Sequence, residues 1–283
     1  AVRQSVGLFD MSSFGKIKLV GRDAEAVLQY IAANDVAVPV GKIVYTQFLN
    51  EAGHIEADVT ITRLADDEFL VVTPAATLRR DLHWIASHIP DDALAHAIDV
   101  TVSESVLAVM GPYARQFLQP LIPQSLANDD FAFGTMQPIE IGHAIGRAHR
   151  VTYVGELGWE LYIPADMSAH VFETLMARRK DHDLALCGLH ALDSCRIEKA
   201  FRHFGHDISN EDHVLEAGLG FAVKEDKLAG RFGSMIGADA VRAKRNEGLS
   251  RRLMQFRLKD PEPLLYHNEA ILRDGELIGY LTS

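Results

Sequence analysis

Two short stretches of this chain recur at one fixed distance, and that distance limits the possible folds more than any other feature. Gly21 to Leu28 reads G-R-D-A-E-A-V-L and Gly111 to Leu118 reads G-P-Y-A-R-Q-F-L, each following a strand-like run and opening a helix-like one. Phe69 to Pro74 reads F-L-V-V-T-P and Trp159 to Pro164 reads W-E-L-Y-I-P, each proline followed by an amphipathic stretch. Both pairs are separated by ninety residues. An equal offset at both ends of a long block predicts two copies of one β-α-β-β-β-α unit, at residues 16–89 and 106–180, packed about a pseudo-twofold axis with a cleft between them. The expected fold is α+β, a duplicated ferredoxin-like pseudo-repeat filling residues 1–180.

In the first copy, Lys16 to Gly21 alternates as a strand, and Asp23 stands where it caps a helix bearing Ala26, Val27, Tyr30 and Ile31. Ile43 to Leu49, Ile55 to Leu64 and Phe69 to Thr73 read as strands, and after Pro74 a second helix carries Leu78, Leu82 and Ile85 and runs through Ile89. The second copy ends on Tyr153 to Pro164, Y-V-G-E-L-G-W-E-L-Y-I-P, which reads as a buried hairpin that nevertheless holds charge. On a strand Glu160 and Tyr162 share one face, and Trp159 and Leu161 the other. A covered carboxylate without a donor costs several kcal/mol or takes up a proton, so Glu160 needs a nearby arginine or a ligand. Ninety residues earlier, Leu70 stands opposite Glu160 and Val72 opposite Tyr162, giving the cleft an apolar wall from one copy and a carboxylate from the other. Asp58 poses the same question. In I-E-A-D-V-T-I it shares a strand face with Glu56 and Thr60, where it is either solvated or used.

Past residue 180 the pattern changes. His190 to Phe204 reads as a helix carrying Leu192, Cys195 or Arg196, Lys199 and His203 at helical spacing. His203, His206 and Asp207 are metal-ligand types, but no second ligand cluster accompanies them and no metal site is expected. Leu215 to Lys224 reads as glycine-punctuated and extended, and Ala238 to Glu247 as a basic helix, together a helical and extended segment over 181–248 that completes the site. From Arg251 the periodicity is that of strands, R-R-L-M-Q-F-R-L and then A-I-L-R-D-G-E-L-I-G-Y with an Asp274-Gly275 turn. Residues 249–283 are therefore expected to begin a C-terminal β-barrel domain that breaks off, as in a fragment or a processed chain.

Charge and motifs remove several function classes. A net charge of -11, from 39 acidic against 28 basic residues, argues against a general nucleic-acid binder and leaves open a local basic patch for a small anion. Cys187 and Cys195 are too few for a disulfide scaffold, which favours a reducing compartment. No apolar run has the length of a membrane span, and nothing reads as a signal peptide. There is no G-x-G-x-x-G, G-K-[ST] or G-x-S-x-G, so neither a dinucleotide, a nucleoside triphosphate nor a serine nucleophile has its usual cradle. Cys195 reads as a nucleophile without a base or as a small core residue. The carboxylates remain.

Leu8 to Lys16 (L-F-D-M-S-S-F-G-K), Leu49 to Asp58 (L-N-E-A-G-H-I-E-A-D), Tyr153 to Glu160, Ala191 to Glu198 (A-L-D-S-C-R-I-E) and Leu215 to Gly220 (L-E-A-G-L-G) together resemble the glycine cleavage T-protein, or aminomethyltransferase, family over essentially the whole chain. G-E-L-G-W-E, R-I-E-K-A-F-R-H-F-G-H-D-I and D-P-E-P-L-L-Y-H are nearer to the folate-binding C-terminal region of sarcosine and dimethylglycine dehydrogenases. The resemblance implies a tetrahydrofolate site in the central cleft and transfer of a one-carbon unit from a small N-methyl or aminomethyl donor to give 5,10-methylenetetrahydrofolate. It makes Asp58 the catalytic residue, Tyr153 and Glu160 contacts to the folate, and Leu70 and Val72 its walls; Arg196 either touches ligand or pairs with Glu198 or Glu216. It implies as partner either a separate N-terminal FAD-binding dehydrogenase region or a lipoyl carrier protein, and a cytoplasmic location, the mitochondrial matrix in a eukaryote. Two positions depart from T-proteins: Ala57 stands where an acidic pair is usual, and Leu192 where an arginine is frequent. A folate-dependent O- or S-demethylase is a variant of the same reading. The contrasting one is a folate-binding assembly or sensor protein without chemistry; iron-sulfur assembly relatives carry K-G-C-Y-x-G-Q-E, and the equivalent R-V-T-Y-V-G-E-L here has no cysteine, which favours the enzyme.

Overall fold

The structure is a computed structural model and describes residues 1–231 and 233–283. The first half runs β1 (Gly7–Asp10), β2 (Gly15–Val20), α1 (Ala24–Ile31), β3 (Ile43–Leu49), β4 (Ile55–Ala65), β5 (Glu68–Thr73), α2 (Leu78–Ser87) and β6 (His96–Asp99). Then come β7 (Glu104–Met110), α3 (Ala114–Leu118), β8 (Met136–Ile141), β9 (Ala144–His149), β10 (Gly158–Pro164), α4 (Ser168–Ala177), β11 (Ala185–Cys187) and α5 (Leu189–Glu198). The chain continues through α6 (Glu225–Leu228), α7 (Ala238–Glu247), β12 (Ala270–Arg273) and β13 (Glu276–Tyr280). No helix among the described residues is long and apolar enough to cross a membrane.

Two sheets position everything else, with strand orders β3-β4-β5-β2-β6 and β8-β9-β10-β7-β1-β11. The β2–β5 ladder pairs Lys18 with Leu70, and the β7–β10 ladder pairs Ala108 with Glu160, ninety residues on in both strands. One feature departs from two self-contained units. β1 precedes the first block yet pairs with β7, and β6 lies between the blocks and pairs with β2. Strands of four residues are too short to show a period, which hid both.

Alternation along the strands sorts side chains into layers. Phe69, Val71, Ala57, Val59 and Ile61 pack under α1 and α2, whereas Leu107, Val109, Trp159, Leu161 and Ile163 pack under α3 and α4. The opposite faces of the two sheets meet in a third cluster that includes Phe9, Leu70, Val106, Ala108, Met110 and Tyr162. The recurring glycines belong to this arrangement. Gly21 has φ 133° and Gly111 φ 147°, and a Cβ there would lie 2.1 Å from the Leu94 and Ser5 carbonyl oxygens respectively, so only glycine fits.

Several expected elements end elsewhere. The helix beginning near His190 stops at Glu198 instead of Phe204, because Ala200 turns left-handed (φ 56°) and two backbone bonds, Phe201 N to Arg196 O at 3.0 Å and Ala200 N to Ile197 O at 2.9 Å, close a Schellman motif. Leu215 to Lys224 is coiled into turns, closed at Gly218 (φ 72°) by a bond from Leu219 N to Val214 O, and is not extended. Arg251 to Leu258 forms no strand; it is mostly exposed, and Leu253 N donates to Glu216 O at 2.9 Å. β12 and β13 pair with each other, joined by Asp274-Gly275 with both φ positive, so the described residues of 249–283 hold one hairpin, where the start of a β-barrel domain was expected. Tyr153 to Leu157 is loop and the strand starts at Gly158. Asp23 makes no cap bond; its Oδ2 accepts from Leu94 N at 2.7 Å.

Ala200 carries a testable consequence. The left-handed conformation costs a residue with a Cβ roughly 1–2 kcal/mol, while glycine brings roughly 0.5–1 kcal/mol of extra unfolded-state entropy. Ala200→Gly is therefore expected to raise the unfolding free energy by about 0.5 kcal/mol in urea titration, and a comparable loss would mean the Ala200 methyl is needed for packing.

Candidate active site

The inner faces of the two sheets bring the sequence-predicted carboxylates into one interior. On β4, Glu56, Asp58, Thr60 and Thr62 alternate with the core residues Ala57, Val59 and Ile61 and so face the other sheet. The β3–β4 ladder sets Gln47 opposite Asp58 and Tyr45 opposite Thr60. Gln47 Nε2 donates to Asp58 Oδ1 at 2.8 Å. Asp58 is half-buried, and burial raises its pKa to about 6 against the hydrogen bonds from Gln47 and Tyr45 and the charge of Arg202. Burial, with Asp58 beside it, pushes the Tyr45 hydroxyl far above its usual value. The Tyr45 ring stacks on Phe221, centroids 6.1 Å apart, and Phe221 is 75% exposed.

Glu160 faces inward from β10 together with Tyr162, as alternation required. It is only 9% exposed. Its Oε2 accepts from the Tyr162 hydroxyl at 3.0 Å, and among the described residues no cation pairs with it. The nearest candidate arginine on the neighbouring strand, Arg147, pairs instead with Glu104 at 2.7 Å and lies 6.0 Å over the Tyr162 ring. Burial therefore lifts Glu160 to about 7, opposed only by the Tyr162 bond. His149 stands opposite Glu160 in the β9–β10 ladder, stacks on Tyr162 at 4.1 Å and approaches Thr62 Oγ1 of the other sheet at 3.5 Å. Burial, then the Arg147 charge, lowers it to about 3, so it is neutral near pH 7.

Leu70 and Val72 line the same interior from β5. Tyr153 closes one end: its ring stacks on Phe201 at 6.2 Å, and its hydroxyl donates to Arg202 O at 2.6 Å. Burial raises its pKa, with Asp58 among the neighbouring charges. Arg196 is placed differently. Each of its guanidinium nitrogens is held by protein, Nε by Asp193 at 2.7 Å, one amino group by Asp207 and Phe201 O, the other by Ser283 Oγ at 2.8 Å. Its partners are thus neither Glu198, which pairs with Arg3, nor Glu216, which pairs with Lys244 and Arg251. Cys195 is half-buried at the rim of the inter-sheet cluster. The His203 and His206 rings lie 4.2 Å apart at a tilt of 38°, but Asp207 is occupied by Arg196 and Thr282, and among the described residues no three His, Cys, Asp or Glu side chains converge on a point a metal could take.

Cavities of about 520 and 460 Å³ lie to one side, the first against Glu216, Lys244 and Arg252, the second against Phe201, Arg202 and Asp207. Neither is lined by Asp58 or Glu160. Gln47, Tyr45 and His149 were not foreseen. Residue type marks none of them, and only the ladder register sets Gln47 against Asp58 and His149 against Glu160.

Residues 1–227 match the family model described as the GCVT N-terminal domain. The chain belongs to the glycine cleavage T-protein family. It is 38% identical over 283 residues to a 4-methylaminobutanoate oxidase (formaldehyde-forming) of Paenarthrobacter nicotinovorans, covering all of this chain and 34% of that one. It is 34% identical to the mitochondrial sarcosine dehydrogenase of Homo sapiens, over 99% of this chain and 32% of the relative. An aminomethyltransferase of Halothermothrix orenii is also 34% identical, over 100% of this chain and 77% of its own length. The crystal structure of glycine cleavage system aminomethyltransferase T from Bartonella henselae superposes with a TM-score of 0.85 at 25% identity, covering 100% of this chain and 74% of that one, so this mixed α/β arrangement is the T-protein fold. The chain spans about a third of the length of the oxidase and dehydrogenase relatives.

Proposed function

We propose that this family member transfers a one-carbon unit, released at the iminium level from an N-methyl or aminomethyl donor, to tetrahydrofolate, giving 5,10-methylenetetrahydrofolate. The observation that carries the reading is a pair of carboxylates, Asp58 and Glu160, on facing inner sheet surfaces, both raised by burial and neither in an ion pair among the described residues. Their surroundings fit a pterin. One oxygen of Glu160 is taken by Tyr162, and the other has no protein partner among the described residues, leaving an acceptor for the adjacent N–H donors of a pterin edge. Leu70 and Val72 supply apolar wall, and Tyr153 closes the end nearer Asp58.

Bound there, tetrahydrofolate supplies the nucleophilic amines. Glu160 orients the ring, and Asp58 accepts the proton lost as the new carbon–nitrogen bond forms and offsets the positive charge of the incoming unit. In this reading residues 16–89 and 106–180 are two copies of one unit about the cleft, 181–248 completes it, and 249–283 opens a further β domain. The common strand order and the ninety-residue register support the two copies. Arg196 is then a brace for the wall behind Tyr153, not a ligand contact. The oxidase and dehydrogenase relatives favour a donor oxidised by an FAD-binding region of a longer protein over a lipoyl carrier.

Calorimetry with tetrahydrofolate tests this directly. Glu160 must be ionised to accept two N–H donors, and a midpoint near 7 gives about a tenfold gain in affinity between pH 6 and pH 8. No measurable binding anywhere in that range removes the folate reading.

A further inference from the structure

We propose that Gln47 is a positioning residue for Asp58, its amide N–H holding one carboxylate oxygen so that the other is presented to the reacting amine. The inference rests on the role of Asp58 proposed above. Gln47 is 0% exposed on β3, directly opposite Asp58, and its Nε2 donates to Oδ1 at 2.8 Å. Its own Oε1 is fully buried and has no partner among the described residues. An unpaired buried carbonyl costs roughly 1–3 kcal/mol, and a leucine or methionine at the same place on the strand would incur no such cost. The amide is therefore a liability to the fold, and Asp58 is the side chain that uses it.

The orientation of the amide is tied to the state of Asp58. With Asp58 ionised, only the NH2 end can face Oδ1, because an amide oxygen there would meet a second acceptor; once Asp58 is protonated, a flipped amide can accept its O–H. The bond to the ionised carboxylate is charge-assisted and the stronger of the two, so Gln47 favours the ionised form, which a general base needs. The other groups acting on Asp58 are Tyr45 on the same strand as Gln47, Arg202 in the segment after α5, and Tyr153 in the loop before β10. Glu56, next on that face of β4, is engaged by Asn50 Nδ2 at 2.9 Å. Removing Gln47 leaves Asp58 with one donor fewer and its ring of charges unchanged.

The test follows the Asp58 carboxyl by 13C NMR in the full chain labelled at aspartate Cγ, the resonance being assigned by its absence in Asp58→Asn. Gln47→Leu is expected to raise the Asp58 midpoint by about one pH unit. Gln47→Met carries the same measurement if the branched side chain does not pack. In the full-length protein the acid limb of the transfer rate should move with the midpoint, kcat at pH 5 should fall about tenfold, and the tetrahydrofolate dissociation constant should stay within twofold. An unmoved Asp58 midpoint in a folded variant overturns the proposal, as does a loss of kcat and folate affinity in equal proportion. Absence of folate binding by the parent protein would overturn the proposed function instead, and the NMR titration would still report on Gln47.

Discussion

Replacing Glu160 by glutamine is expected to weaken tetrahydrofolate binding at pH 8 by at least about a hundredfold while making the ligand-free protein harder to unfold. The two effects share one cause. Glu160 sits 9% exposed with, among the described residues, a single hydrogen-bond donor, the Tyr162 hydroxyl, and its folded-state pKa is raised to about 7 from a reference of 4.5. Between those values the folded protein holds a proton that the unfolded chain has released, so stability falls as pH rises through that window and levels off above 7. A shift of that size corresponds to about 3 kcal/mol between pH 4 and pH 8. Glutamine keeps the shape and can still accept from Tyr162, but carries no charge to desolvate. Thermal unfolding should show parent and Glu160→Gln alike near pH 4 and the variant higher at pH 8. The gain disappears if a cation partners Glu160 in solution, so a variant less stable at pH 8 would defeat the account of an unpaired carboxylate kept for a ligand.

What could be read from the chain alone depended on whether a residue acts through its own chemistry or through its place in a ladder. Glycine at 21 and 111 was visible because a Cβ cannot be accommodated at either point. Glu160 and Tyr162 were assigned a common face, and Asp58 was separated from Ala57 and Val59, because a strand has a period of two whatever surrounds it. Partners were another matter. Arg196 has Glu198 two positions on, but the Schellman turn at Ala200 swings the chain back so that Asp207 reaches its guanidinium instead. That turn was hidden because alanine occupies the place where glycine usually signals it. Gln47 and His149 look like ordinary strand residues until the β3–β4 and β9–β10 registers set them against Asp58 and Glu160. The exchange of β1 and β6 between the sheets depends on four-residue edges that bear no pattern of their own.

Asp58→Asn is expected to leave tetrahydrofolate affinity within a few-fold of the parent and to slow transfer by about a hundred- to ten-thousandfold. Affinity survives because the proposed pterin contact is Glu160, on the other sheet, and because the substitution is nearly isosteric. Gln47, whose Oε1 has no partner beside Asp58, can turn to accept from an asparagine amide, so the interior is not left with a new unpaired donor. What is lost is the group that takes a proton and the charge that steadies a cationic one-carbon unit. The pH dependence separates this from a structural fault. With an Asp58 midpoint of about 6, the parent rate should fall about tenfold for each pH unit below 6, whereas the residual rate of Asp58→Asn should show no inflection there. Single-turnover measurement in the full-length protein, with an N-methyl amine as donor and methylenetetrahydrofolate as the observed product, gives both numbers. Undiminished transfer, or an unchanged acid limb in the variant, would assign the proton to another group, and Tyr153 at the same end of the interior would be the next residue to replace.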